Sequence, residues 1–160
     1  MGLEIISNTS SIIYLGKLNI FYLAKNMFPQ IMVPNEVIQE IFSKEQNENN
    51  IIKKEIEDKF IFIIEVKKIE NFNLDKGEKA ALSLCLEKNI SFLSDDKKAR
   101  KIAYSLGIGC TGVIGILLWN LKNKKINKDE CKKLLKELII NGYYITTDLY
   151  NRINDFIEIN

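Results

Sequence analysis

Short apolar runs alternating with long segments of helical spacing constrain this chain more than any other feature of its sequence. The runs cover residues 3–6, 31–33, 60–64, 90–93 and 108–110, and β-branched and aromatic residues dominate them. Between them Ile12, Ile13, Leu15, Leu18, Phe21, Tyr22 and Leu23 recur at helical spacing, with a break expected near Gly16. Further helices are expected over residues 35–42, entered at Pro34, and over 75–88, 96–106, 112–121, 128–140 and 146–157. Residues 43–58 are mostly polar and read as a solvated helix or a mobile excursion. Strands that alternate with helices predict an α/β fold whose parallel sheet is covered on both faces.

The chain has 160 residues, 46% of them hydrophobic and 28% charged, which is enough for one core without staples. No repeat, low-complexity tract or linker divides it, so a single domain over 1–160 is expected. A net charge of +2 is too small for the whole surface to attract nucleic acid, and any such binding must rest on a local patch. Cys85, Cys110 and Cys131 form no CxxC pair and read as small buried hydrophobes in a reducing compartment. The amino terminus lacks a basic stretch followed by a long apolar one, and no run is long enough to span a membrane. The protein therefore reads as cytoplasmic.

Histidine is absent from the sequence. That removes the commonest general base and a frequent metal ligand, and leaves carboxylates as the leading candidates for any chemistry. Asp95 and Asp96 end an apolar run and open a helical one, so they sit at the carboxyl edge of an expected sheet. Ligands bind beyond that edge in open α/β folds, and carboxylates there can hold a hard divalent cation. Helix capping is the plainer reading of either residue taken alone. Glu78 follows Asp75 at capping-box spacing, and Glu40 lies on a helix between apolar neighbours. For both, metal ligation competes with an ordinary structural role.

The turn 7–11 is rich in hydroxyls and can cap a helix, orient a water or hold a phosphate. It contains no glycine, which argues against a flavodoxin-like phosphate loop. Residues 107–112 spell GxGxxG, but the first glycine follows a helix and a strand runs through the motif. Gly107 therefore reads as a helix C-cap. Lys97, Lys98, Arg100 and Lys101 form a basic group beside the acidic pair and can attract a phosphate backbone.

Five segments, taken in order, resemble the PIN-domain family and, within it, a prokaryotic toxin-like branch. They are Ile6-Ser7-Asn8-Thr9-Ser10, Val33-Pro34-Asn35-Glu36-Val37-Ile38-Gln39-Glu40-Ile41, Asp75-Lys76-Gly77-Glu78-Lys79-Ala80-Ala81-Leu82, Leu93-Ser94-Asp95-Asp96-Lys97-Lys98-Ala99-Arg100 and Thr111-Gly112-Val113-Ile114-Gly115. The resemblance implies a three-layer α/β/α sandwich with a central parallel sheet. It also implies an endoribonuclease that hydrolyses single-stranded RNA with Mg²⁺ or Mn²⁺. Carried over by motif, Asn8, Glu40, Glu78 and Asp95 are the expected ligands, with Asp96 as a supporting catalytic carboxylate. Ser10, Lys97, Arg100 and Thr111 are the expected RNA contacts. A small antitoxin protein and a second copy of the chain are the protein partners that the resemblance suggests. Asn8 stands where the family usually has aspartate, and Thr111 where a further acid is often found. The alternative reading is therefore a catalytically weakened module that binds RNA or a protein.

Overall fold

The computed structural model describes residues 3–160. Met1 and Gly2, which the single-domain expectation includes, lie outside the described residues. The chain forms two compact units, one running through Val113 and the other from Ile114 to Asn160.

The first unit is built on β1 (Ile5–Ser7), β2 (Ile31–Pro34), β3 (Ile61–Ile64), β4 (Ser91–Leu93) and β5 (Cys110–Thr111). All pairings are parallel, in the order β3-β2-β1-β4-β5. Helices α1 (Thr9–Lys17), α2 (Phe21–Lys25), α3 (Asn35–Phe42), α4 (Asn49–Glu57), α5 (Lys76–Lys88) and α6 (Lys97–Ser105) connect the strands. The arrangement is the α/β/α sandwich expected from the sequence. Every residue of β1 and β2 is buried, as are Phe92 and Leu93 of β4, which explains the unbroken apolar runs. The edge strand β3 leaves Phe62 and Ile63 partly in solvent, at 49% and 40% exposure. Phe60 falls just before that strand, and its ring meets the edge of Phe21 at 6.4 Å.

Consecutive strands run outward from β1 through β2 to β3, and then from β4 to β5 on the other side. The order thus reverses between β1 and β4, and a crevice opens beyond the carboxyl ends of those two strands. Helix α3 starts directly after β2, and α5 packs along β2, β1 and β4. Both helices therefore carry side chains toward the same edge.

Three local details shift or settle the sequence expectation. Helix α1 continues through Gly16, and the break falls at 18–20, where Asn19 takes a left-handed φ of 52°. Gly16 serves packing instead: a Cβ there would lie 3.1 Å from both Glu48 Cβ and Ile52 Cγ1 of the α4 region. Residues 43–58 contain the ordered helix α4, held by buried Ile52 and by a 2.7 Å ion pair from Glu55 to Lys25. The last strand starts two residues later than expected, because Gly107, at φ 74°, first ends the helical stretch.

In the second unit α7 (Val113–Lys122), whose first residue belongs to the preceding unit, is followed by α8 (Lys128–Ile140) and α9 (Thr147–Ile159). Asn127 and Thr146 cap α8 and α9 by accepting from Glu130 N and Leu149 N. Lys132 pairs with Glu158 between these two helices. No helix of the described residues is long and apolar enough to cross a membrane. Phe92 is fully buried at the centre of the sheet, so Phe92→Ala should cost about 3–5 kcal/mol in urea denaturation. Phe62→Ala, on the half-exposed edge, should cost well under half as much, and equal losses would contradict this account of the core.

Candidate active site

Two buried hydroxyls bridge the ends of β1 and β4, and one of them, Ser7 Oγ, donates to the Leu93 carbonyl at 3.3 Å. Ser94 Oγ accepts from Asn8 Nδ2 at 2.8 Å and from the Asp96 backbone N–H at 3.2 Å. Ser10 Oγ donates to Asn8 Oδ1 at 3.1 Å, and Asn8 N donates to the Leu93 carbonyl at 3.3 Å. Asn8 and Ser94 are both buried, so these bonds satisfy groups that water does not reach. Both atoms of the Asn8 amide are engaged in holding the two strand ends together.

Asp95 and Asp96 are adjacent in sequence but enter different surroundings. Asp95 Oδ2 accepts from Ser11 Oγ at 2.6 Å, and its carboxylate receives the Val113 backbone N–H at 3.0 and 3.2 Å. It lies against Gly112, where a Cβ would collide with Oδ1 and come 3.1 Å from a guanidinium nitrogen of Arg100. The charge of Asp95, after burial, also pushes up the Tyr14 phenol. Asp95 thus joins Ser11 of α1 to the backbone of Val113, within the first unit.

Asp96 caps α6 through Oδ1, which accepts from Ala99 N at 2.7 Å. It also lines a cleft of about 210 Å³ with Asn73, Leu74, Asp75, Glu78 and Lys98. Glu78 is half-buried there and takes part in the capping box, with Asp75 N donating to its Oε2 at 3.3 Å. Burial pushes the Glu78 carboxyl up to about 7, helped by the charges of Asp96, Asp75 and Glu40 and opposed by the Asp75 hydrogen bond. Glu40 reaches this group from α3. Its Oε2 lies where a Cβ at Gly77 would strike it, and the same point is 3.5 Å from Thr9 Oγ1. The Thr9 hydroxyl is buried with no hydrogen-bond partner.

The expected ligands therefore divide between two networks. Glu40 and Glu78 share one with Asp96, whereas Asn8 and Asp95 hold the surrounding backbone. Among the described residues no three acidic or thiol side chains stand in an arrangement that could hold an ion by themselves. Oxygen donors alone, two or three of them carboxylates, suit Mg²⁺ or Mn²⁺ in chemistry. Mg²⁺ commonly takes one or two protein carboxylates and keeps several waters. The cleft fits such a hydrated ion better than a closed protein cage.

Of the expected RNA contacts, Ser10 is bonded to Asn8, and the Thr111 carbonyl accepts from Ser94 N at 2.9 Å. Arg100 donates to the Tyr104 hydroxyl at 3.2 Å beside Asp95. Lys97 is exposed at the start of α6 and does not line the cleft. Sequence reasoning placed Thr9 and Ser11 only within the hydroxyl-rich turn, and it missed Asn73 on the cleft wall and the tie made by Ser94, whose partner Asn8 is far away in the chain. The cysteines make no disulfide. Burial raises the Cys85 thiol above its ordinary range and Cys131 to about 11, as inert packing groups require.

A five-stranded parallel sheet in this order, with helices between its strands, defines an α/β/α domain. A family model described as a PIN domain matches residues 4–158, and the chain belongs to that family. Its fold is similar to that of a PilT N-terminus domain protein from the hyperthermophilic archaeon Sulfolobus solfataricus P2. The TM-score is 0.59 at 16% identity, over 74% of this chain and 94% of the other. No curated protein matches the chain.

The raised carboxyl of Glu78 has a consequence for stability. The folded protein holds the Glu78 proton up to about 7, whereas the unfolded chain releases it near 4.5. The resulting stabilisation is complete below the unfolded value and is lost as pH rises through about 7. Glu78→Gln should therefore gain stability relative to the natural protein on going from about pH 5 to about pH 8. The gain should be roughly 1 kcal/mol after allowance for solvent screening. Urea midpoints at the two pH values test this, and a difference independent of pH would contradict it.

Proposed function

We propose that the protein is a metal-dependent endoribonuclease that hydrolyses phosphodiesters of single-stranded RNA. The observation that carries this reading is that Glu78 and Asp96, from separate helices of a PIN-domain fold, line one cleft, with the charge of Glu40 also felt by Glu78. Structural needs explain one capping oxygen of Asp96 and the capping box of Glu78. They do not explain why Asp75, Glu78 and Asp96 are concentrated in one cleft.

Glu78 and Asp96, with Glu40 behind them, would hold Mg²⁺ or Mn²⁺. When bound, the ion would lower the pKa of a water and offset charge developing on the phosphate. The Ala99 N–H fixes the rotamer of Asp96, and the Asp96 backbone is fixed through Ser94 to Asn8. Asp95 supports the same turn from behind, through Ser11 and the Val113 N–H. Protons compete with the cation for Glu78, so metal affinity should rise with pH through about 7.

The test pairs cleavage with a measurement that needs no substrate. Mn²⁺ should raise the thermal midpoint of the natural protein, more at about pH 8 than at about pH 6. Asp96→Asn keeps a good helix cap while removing the charge. Both it and Glu78→Gln should abolish the Mn²⁺ shift and slow RNA cleavage on the order of 10–100-fold. Natural protein and Asp96→Asn cutting equally well would refute the assignment.

One observation favours the second reading, a catalytically weakened module. At position 8 the side chain acts as an amide donor to Ser94, and a carboxylate has no proton to give there. Ser94 could instead donate to an aspartate while still accepting from Asp96 N. Asn8→Asp should therefore fold, and on this reading it creates cleavage that the natural protein lacks. Cleavage by the natural protein at low Mn²⁺ decides for the nuclease.

A further inference from the structure

The cation at the acidic cleft is neither Lys97 nor Arg100. Lys98 forms part of the cleft wall, together with Asp75, Glu78 and Asp96. It is exposed and makes no ion pair among the described residues, although carboxylates line the same hollow. Stability of α6 does not account for it. That helix begins with Lys97 and Lys98, has no acidic residue in its first turn and has no basic residue in its last. The macrodipole favours the opposite distribution at both ends. A local choice that works against the element carrying it points to a role outside that element.

The cleft is open to solvent and offers about 210 Å³. A phosphate group beside a hydrated cation fits there. The carboxylates repel a phosphate, so it can enter only next to positive charge, and Lys98 is the cation that the chain itself supplies at the wall. An ammonium suits this task because it acts as a point charge and demands no fixed approach.

We propose that Lys98 binds a backbone phosphate of the RNA strand at the acidic cleft and does so without reading sequence. This rests on the ribonuclease reading above and identifies how the same site would take its substrate. Loss of the contact should weaken all sequences alike and lower the salt dependence of binding.

The experiment measures binding of labelled oligo(U), oligo(A) and mixed single-stranded RNA by fluorescence anisotropy across a salt series. Ca²⁺ replaces Mn²⁺, and gels check that the RNA stays intact. Lys98→Gln should weaken binding about three- to tenfold for every sequence, and the slope of log K against log salt should fall by about 0.7. Lys98→Arg should restore both. Lys88→Gln, at the far end of α5, should change neither. An unchanged affinity and slope for Lys98→Gln, a loss confined to one sequence, or no RNA binding by the natural protein would each overturn the proposal. Binding through Lys98 without any Mn²⁺-dependent cleavage would uphold this contact and remove the nuclease reading instead.

Discussion

The hydroxyl of Ser94 holds the site together. It receives one hydrogen bond from the end of β1 and one from the turn after β4, at the point where the strand order reverses. The two carboxyl ends are also joined at the Leu93 carbonyl, which accepts from Asn8 N and from Ser7 Oγ. Tying them through a buried side chain fixes the direction in which the residues after β4 leave the sheet. Removing Ser94 would leave the Asn8 amide with a buried donor and no partner, which costs about 1–3 kcal/mol.

Charge is distributed very unevenly around that tie. Asp95 receives a hydroxyl and a backbone N–H and lies beside Arg100, so its charge is satisfied where it stands. Glu78 has carboxylates for neighbours and holds its proton to about 7. Two adjacent aspartates thus serve opposite ends, one accepting from Ser11 and the Val113 N–H and the other adding to a repulsive cluster. Folded domains tolerate such clusters at functional sites, where a cation or a substrate relieves the repulsion.

The sheet was legible in advance because each of its buried strands must be apolar on both faces, and no other element needs that pattern in so few residues. Helix α3 was equally clear, since Pro34 and the apolar spacing after it mark its start. For residues 43–58 the sequence left a solvated helix and a mobile excursion open, and the helix is settled by Ile52 and by the pairing of Glu55 with Lys25. Gly16 was read less well. Its lack of a side chain read as a break, but the requirement it meets is close approach by another helix.

Sequence alone determined the fold class, most of the helices and the list of acidic candidates, because those follow from periodicity, capping chemistry and the absence of histidine. Only the tertiary structure decided which carboxylates share a cleft. Asp95 and Asp96 are indistinguishable by type and position in the chain, yet side chains of successive residues diverge, and distant partners settle where each one goes. Ser11 and Val113 claim Asp95, and Glu78 becomes the neighbour of Asp96. Such contacts join residues tens of positions apart, and no local pattern records them.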